Sequence, residues 1–186
     1  GLKFRHTTFT LGHIEARVHT DAAIRLDNAS NCRIENCYFE NIGGYALWLH
    51  LDSKRNVFHR NTVLNSGGGG VLLTGARFSY MDDSKVYTPG AAAARVAPML
   101  NEITCNTVEQ CGKLRYYGGG VHLDSRPFNM SMMPGNYITH NHFKDLSRNG
   151  VFAFRNQGGN VVEYNHIHNA MQTTIDGACI HFATMN

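Results

Sequence analysis

The sequence predicts an all-β solenoid, a parallel β-helix of about six coils running through all 186 residues. Three observations predict it. An Asn recurs with a second Asn five residues later, one apolar residue between them and another after. A strand-like segment of alternating apolar residues follows each such unit. Gly is common, at 19 residues, and Pro scarce, at 4, a balance that suits many tight turns better than helices.

The Asn unit reads Asn56-Val-Phe-His-Arg-Asn61-Thr-Val63, Asn101-Glu-Ile103-Thr-Cys-Asn106-Thr-Val108, Asn136-Tyr-Ile138-Thr-His-Asn141-His-Phe143 and Asn160-Val-Val162-Glu-Tyr-Asn165-His-Ile167. Cys32-Arg-Ile34-Glu-Asn-Cys37-Tyr-Phe39 is the same unit with Cys in both Asn places. Such self-similarity means one supersecondary unit stacked on itself. Cys32 to Asn56 and Asn136 to Asn160 are each 24 residues, room for three short strands and three turns; Asn56 to Asn101 (45) and Asn101 to Asn136 (35) carry extra chain. Parallel crossovers set the expected hand as right-handed. The recurring Asn side chains, about 4.8 Å apart in successive coils, are expected to bond one another and the turn backbone as scaffold. Cys37 in that column agrees, since a catalytic Asn has no reason to recur once per coil.

The second strand of each coil is expected at Ala23–Asp27, Ala46–His50, Gly70–Thr74, Gly120–Asp124, Gly150–Phe154 and Cys179–Ala183. Alternation turns Ile24/Leu26, Leu47/Leu49, Val71/Leu73, Val121/Leu123, Val151/Ala153 and Ile180/Phe182 inward.

The formal net charge of +3 and the lack of any Lys/Arg run argue against a nucleic-acid partner. No stretch approaches the roughly 18 apolar residues of a membrane span. The first residues already sit in repeat register and the last follow directly on a predicted strand. The reading is therefore a single domain over 1–186, truncated at both ends and internal to a longer chain that is its remaining partner. The five Cys (32, 37, 105, 111 and 179) read as small buried hydrophobes, Cys111 standing where other repeats carry Ile42, Leu146 and Ala170.

Function in a solenoid is expected where regular coils sprout insertions. From the first ladder position to the first inward strand residue, regular coils take 15 residues (Asn56 to Val71, Asn136 to Val151), whereas Asn101 to Val121 and Asn160 to Ile180 take 20. From strand to next ladder, Leu47 to Asn56 takes 9, but Val71 to Asn101 takes 30 and Val121 to Asn136 takes 15. Insertions thus fall near 13–19, 75–97, 113–117, 125–135 and 171–176, with a short Ala-rich, helix-compatible stretch at 91–97. All flank the same strand column and should wall a groove over its outer face.

Two outward columns line that face: Arg25, Trp48, Leu72, His122, Phe152, His181, and Asp27, His50, Thr74, Asp124, Phe154, Ala183. Aromatic and charged side chains mixed on an exposed face suit a sugar chain; the alternative is that Trp48, Phe152 and Phe154 are covered by the insertions and only pack. Asp124, beside His122 and flanked by insertions, is the first candidate for a catalytic carboxylate. Asp176, in Thr-Ile-Asp-Gly, is the second, with a turn-making Asp-Gly as the competing account. Two coils separate them by about 9–10 Å, near the upper end for an inverting carboxylate pair. Asp83, next to Asp82 on the longest insertion, is a third. Arg126, Arg155, Trp48, His50, Tyr117, Phe152 and His181 are the expected substrate contacts. His59, His140, His142, His166 and His168 read as surface residues of other faces, and no metal site is expected.

This repeat resembles the right-handed parallel β-helix proteins of the pectate-lyase-like superfamily along essentially the whole chain. Among their hydrolases it is most similar to the β-helical fucosidase and xylanase enzymes of glycoside hydrolase family 141. No catalytic motif matches residue by residue, so no functional residue is carried over. The resemblance implies a secreted or periplasmic protein acting on a polysaccharide or oligosaccharide. A glycoside hydrolase using a carboxylate pair and no cofactor is the leading expectation. The alternatives are a uronate lyase or epimerase, with Ca²⁺ as cofactor and a base among Tyr116, Tyr117, His122, Lys85 and Arg126, or a non-catalytic carbohydrate-binding, tailspike-like solenoid.

Overall fold

The computed structural model describes residues 1–7, 21–75, 96–114, 118–125, 134–154 and 158–183. Within them lie seventeen strands and no helix; of the helix-compatible stretch at 91–97, residues 91–95 lie outside what is described. Three sheets wrap one core. The long-strand sheet holds β2 (Ala22–Asp27), β5 (Tyr45–His50), β8 (Gly69–Thr74), β11 (Gly119–Asp124), β14 (Val151–Phe154) and β17 (Ile180–Ala183). A first short-strand sheet holds β3 (Arg33–Glu35), β6 (Val57–His59), β9 (Glu102–Thr104), β12 (Tyr137–Thr139) and β15 (Val161–Glu163). A second holds β1 (Lys3–Arg5), β4 (Tyr38–Glu40), β7 (Thr62–Leu64), β10 (Thr107–Glu109), β13 (His142–Lys144) and β16 (His166–His168). Every strand pairs in parallel with its equivalent in the next coil, giving a right-handed parallel β-helix. The long intervals do not disturb register: Val57 pairs Glu102 and Glu102 pairs Tyr137.

The corners are made by single residues in the left-handed region. Asn36, Arg60, Cys105, His140 and Tyr164, each with φ between 51° and 57°, turn the chain from the first short-strand sheet into the second. Asn41, Asn65, Gln110, Asp145 and Asn169 do the same after the second. An αL residue bends the chain from one sheet into the next without a loop, and its N–H bonds the coil beside it: Arg60 N–H to the Thr104 carbonyl, Cys105 N–H to that of Thr139. Asn and Asp tolerate this conformation well, which accounts for part of their abundance.

Behind each corner the Asn ladders form as expected. Asn61 Nδ2 donates to Asn106 Oδ1 (3.2 Å), Asn106 to Asn141 (3.0 Å) and Asn141 to Asn165 (3.0 Å). Asn56, Asn101, Asn136 and Asn160 form the second ladder at 3.0, 2.8 and 3.2 Å. Inside a ladder each amide is fully used. Asn106 Oδ1 accepts from the N–H and Nδ2 of Asn61, while its Nδ2 donates to the Phe58 carbonyl and to Asn141. Four bonds on a buried primary amide meet its whole capacity, so its desolvation is offset. Cys37 ends one ladder with its N–H donating to Asn61 Oδ1.

The core is the predicted one except at β17, where Ile180 and Phe182, expected inward, are exposed. Phe39, Phe58, Ile103, Val108, Ile138 and Phe143 from the short strands meet Leu47, Leu49, Val71, Leu73, Val121, Leu123 and Val151 from the long ones. Cys111 is buried with Ile42 and Leu146 as expected, and burial pushes its thiol up to about 12, so it acts as a small hydrophobe. The expectation of uniform burial fails for Cys105 and Cys179, which are exposed, and for Cys32, half-buried. Cys105 is itself a corner residue, and a corner side chain points out of the coil.

Candidate functional site on the outer face of the long-strand sheet

In a solenoid wall, alternation sends every second side chain toward solvent. The long-strand sheet departs from this. Its outward residues Trp48, Leu72, His122, Phe152, Thr74 and Asp124 are all buried. The expected exposed aromatic face is therefore corrected to an enclosed one, and the packing reading of Trp48, Phe152 and Phe154 describes their state. Period-2 alternation reports which side of a strand a residue takes, and cannot report a second layer over the outer side. The described ends of the longest insertion, Gly75 and Ala97, are themselves buried.

The enclosed column divides into two parts. At one end, Trp48 Nε1 donates to Thr74 Oγ1 at 2.8 Å, and His50 Nδ1 meets the same hydroxyl at 2.8 Å. The Arg25 guanidinium lies 4.1 Å over the Trp48 ring while pairing with Asp27 at 2.8 Å. Burial, the largest influence on His50, holds its imidazole below the usual range.

At the other end, His122 packs on Phe152 with ring centres 4.8 Å apart, and Phe152 on His181 at 5.1 Å. His122 Nδ1 lies 3.4 Å from the Tyr45 hydroxyl. Burial, and then the Arg148 cation, push His122 down to about 3, so it is a neutral imidazole at any ordinary pH. Among the described residues, neither His122 Nε2 nor His181 Nδ1 has a hydrogen-bond partner, although both atoms are buried. Asp124 ends β11 in the same face, fully enclosed and flanked in register by Thr74 and Phe154.

Arg148 completes this end. It follows β13 in a turn where the third coil has Gly67 and Gly68, and its guanidinium sits 5.1 Å over the Phe152 ring. Its Nη2 pairs with Asp176 Oδ2 at 2.8 Å, and its Nε donates to the Asp176 carbonyl at 2.6 Å. The insertion at 171–176 is thereby stitched to the previous coil, with further bonds from the N–H groups of Met171, Gln172 and Thr173 to the carbonyls of Arg148, Leu146 and Ser147. The competing account of Asp176 as a simple Asp-Gly turn omits this ion pair.

The structure thus brings Trp48, His50, His122, Asp124, Phe152, His181 and Asp176 to one face. Asp83, Tyr117, Arg126 and Arg155 lie outside the described residues, as do Tyr116 and Lys85. Thr74 joins the group from its outward column, and Arg148 and Tyr45 join it without having been singled out from the sequence. The available signal for Arg148 was a large cation in a turn that other coils build from glycine.

Three of the histidines read as surface residues of other faces do lie there, and they form a second cluster. His142 on β13 and His166 and His168 on β16 form a triangle with ring centres 4.9 to 5.1 Å apart. The signal was present as His166-Ile-His168, two imidazoles on one strand face, with His142 exactly one regular coil of 24 residues before His166.

The family described as right-handed β-helix region matches residues 22–184, and the chain belongs to that family. Neither the comparison with curated proteins nor that with solved structures gave a match.

Proposed function

We propose that the enclosed outer face of the long-strand sheet is a carbohydrate-processing site and that the protein is a glycoside hydrolase acting on a polysaccharide or oligosaccharide. One observation carries this reading. Two buried imidazole nitrogens, without a partner among the described residues, flank Phe152, beside a buried carboxylate and a buried guanidinium. Buried polar atoms are satisfied as a rule, so these two mark a place where a ligand's hydroxyls would complete the bonding.

In this reading Asp124 and Asp176 form the carboxylate pair, with Asp83 as the reserve candidate. One carboxyl protonates the glycosidic oxygen while the other attacks the anomeric carbon or activates water. Arg148 orients Asp176, whose side chain is 56% exposed and gives sugar a way in from that edge. His122 and His181 bond hydroxyls, and Phe152 offers an apolar ring face. The reaction is expected in a secreted or periplasmic setting and needs no cofactor.

A uronate lyase is the second reading, favoured by one observation: a neutral imidazole with an open nitrogen stands near the Arg148 cation. One assay separates the readings, incubation with a panel of neutral and acidic glycans. Reducing-end release without ultraviolet absorbance, lost in Asp124→Asn and Asp176→Asn while sugar binding persists, supports hydrolysis by this pair. Unchanged turnover in both variants sinks the assignment, and near-ultraviolet absorbance from a new C=C bond replaces hydrolase by lyase. Binding without any turnover makes the protein a carbohydrate-binding module.

A further inference from the structure

Away from this face, on the outer side of the second short-strand sheet, the geometry points to a metal site: His142, His166 and His168 form a three-imidazole cradle for one divalent late first-row transition ion, zinc(II), nickel(II) or copper(II).

The backbone builds the cradle. β13 and β16 pair in parallel with His142 opposite His166 and Lys144 opposite His168. Residues 166 and 168 share a face because side chains alternate, and the intervening Ile167 packs against the core, fixing which way the two imidazoles point. Three independent rotamers are thereby confined to one patch about one strand spacing wide. The donor nitrogens all lie within 4.8 Å of one another. His142 Nε2 and His168 Nε2 are only 2.9 Å apart.

Bond lengths of about 2.0–2.1 Å at tetrahedral angles require nitrogens about 3.3 Å apart. The closest pair must open by about 0.4 Å and the widest close by at most about 1.5 Å, changes within reach of side-chain rotation because none of the three rings is fully buried. A hydrogen-bonded imidazole pair accounts for His142 and His168 alone and gives His166 no role. Two histidines and a proton satisfy that pair; three histidines satisfy a metal.

The charges nearby agree. Lys144 pairs with Glu109 at 3.1 Å and lies 3.6 Å from Asp145, so two carboxylates and one ammonium leave the patch negative before a cation enters. Imidazole nitrogen selects zinc, nickel and copper over calcium and magnesium, which need oxygen. Three protein ligands leave one coordination position for water or for an oxygen of another molecule.

The test is titration of the full chain with zinc chloride at pH 7.5 by calorimetry, with the melting temperature followed in parallel. One saturable ion per chain is expected, with a rise in melting temperature that EDTA reverses. His142→Ala, His166→Gln and His168→Ala should each weaken binding at least tenfold, whereas His59→Ala, on a different sheet, should not. His166 is exposed, so its variant carries the test if a change at His142 disturbs folding. Absence of saturable binding, binding unchanged in the three variants, or an equal loss in His59→Ala overturns the site.

Discussion

Arg148, 1% exposed, reaches from the turn after β13 to hold the half-exposed carboxylate of Asp176 at 2.8 Å, bridging 28 residues and two coils. The pair is asymmetric: its cation has been taken out of water and its anion has not. Loss of the carboxylate takes the charged partner from a buried cation, while loss of the guanidinium leaves an anion that water can still solvate. Asp176→Ala is accordingly expected to destabilise the fold by about 2 kcal/mol, and Arg148→Met by less. Urea denaturation of the two variants checks this order, and the reverse order would show that Arg148 is held chiefly by other contacts.

The Asn ladders give a graded expectation. Asn106 makes four hydrogen bonds in the buried middle of its ladder, so Asn106→Ala should cost about 3 kcal/mol. Asn165 ends the same ladder half-buried with three bonds, and Asn165→Ala should cost about 1 kcal/mol. Equal costs measured by chemical denaturation would mean the ladder adds nothing beyond each residue's own turn.

Gly120 is the clearest steric position. A Cβ there would lie 2.3 Å from the Gly150 carbonyl oxygen and 2.5 Å from Phe143 Cδ1. Gly70 stands at the same register and is likewise closed, yet Ala46, one coil further, carries a methyl group in the buried core. Gly120→Ala should therefore cost about 2 kcal/mol through overpacking, with Ala46→Gly mild by comparison. Melting temperatures of both variants test it.

Acid should weaken the fold through His122. Its folded-state value is lowered from 6.5 to about 3, so the native state keeps the neutral form while the unfolded chain takes up a proton below 6.5. Its contribution is complete above pH 6.5 and is lost as pH falls toward 3, by up to about 1.4 kcal/mol per pH unit. His50 is lowered as well and acts in the same direction. His122→Leu copies Leu72 at the neighbouring register position and should flatten the fall in urea midpoint between pH 6.5 and 4. An unchanged slope would place the acid sensitivity elsewhere.

Much of the fold could be read from residues alone. The ladder spacing located the short strands and corners, and alternation located all six long strands to within a residue of their observed ends. These features are local and repeat with a fixed period, so each coil corroborates the next. The candidate site was legible only in outline. Asp124, His122 and Phe152 could be assigned to the two outward columns of one face, but their burial could not, because a period of two says nothing about a second layer. Arg148 and the triangle of His142, His166 and His168 escaped because each depends on which coil lies against which.

By itself, then, the sequence determined the coil, its register and the inward half of every strand, since backbone periodicity and apolar alternation are properties of short segments. The tertiary structure alone decided which outward side chains are enclosed, which carboxylate receives the buried cation and which histidines share a patch. Those outcomes are set by distances between residues 24 to 77 positions apart, which only the stacking of coils creates.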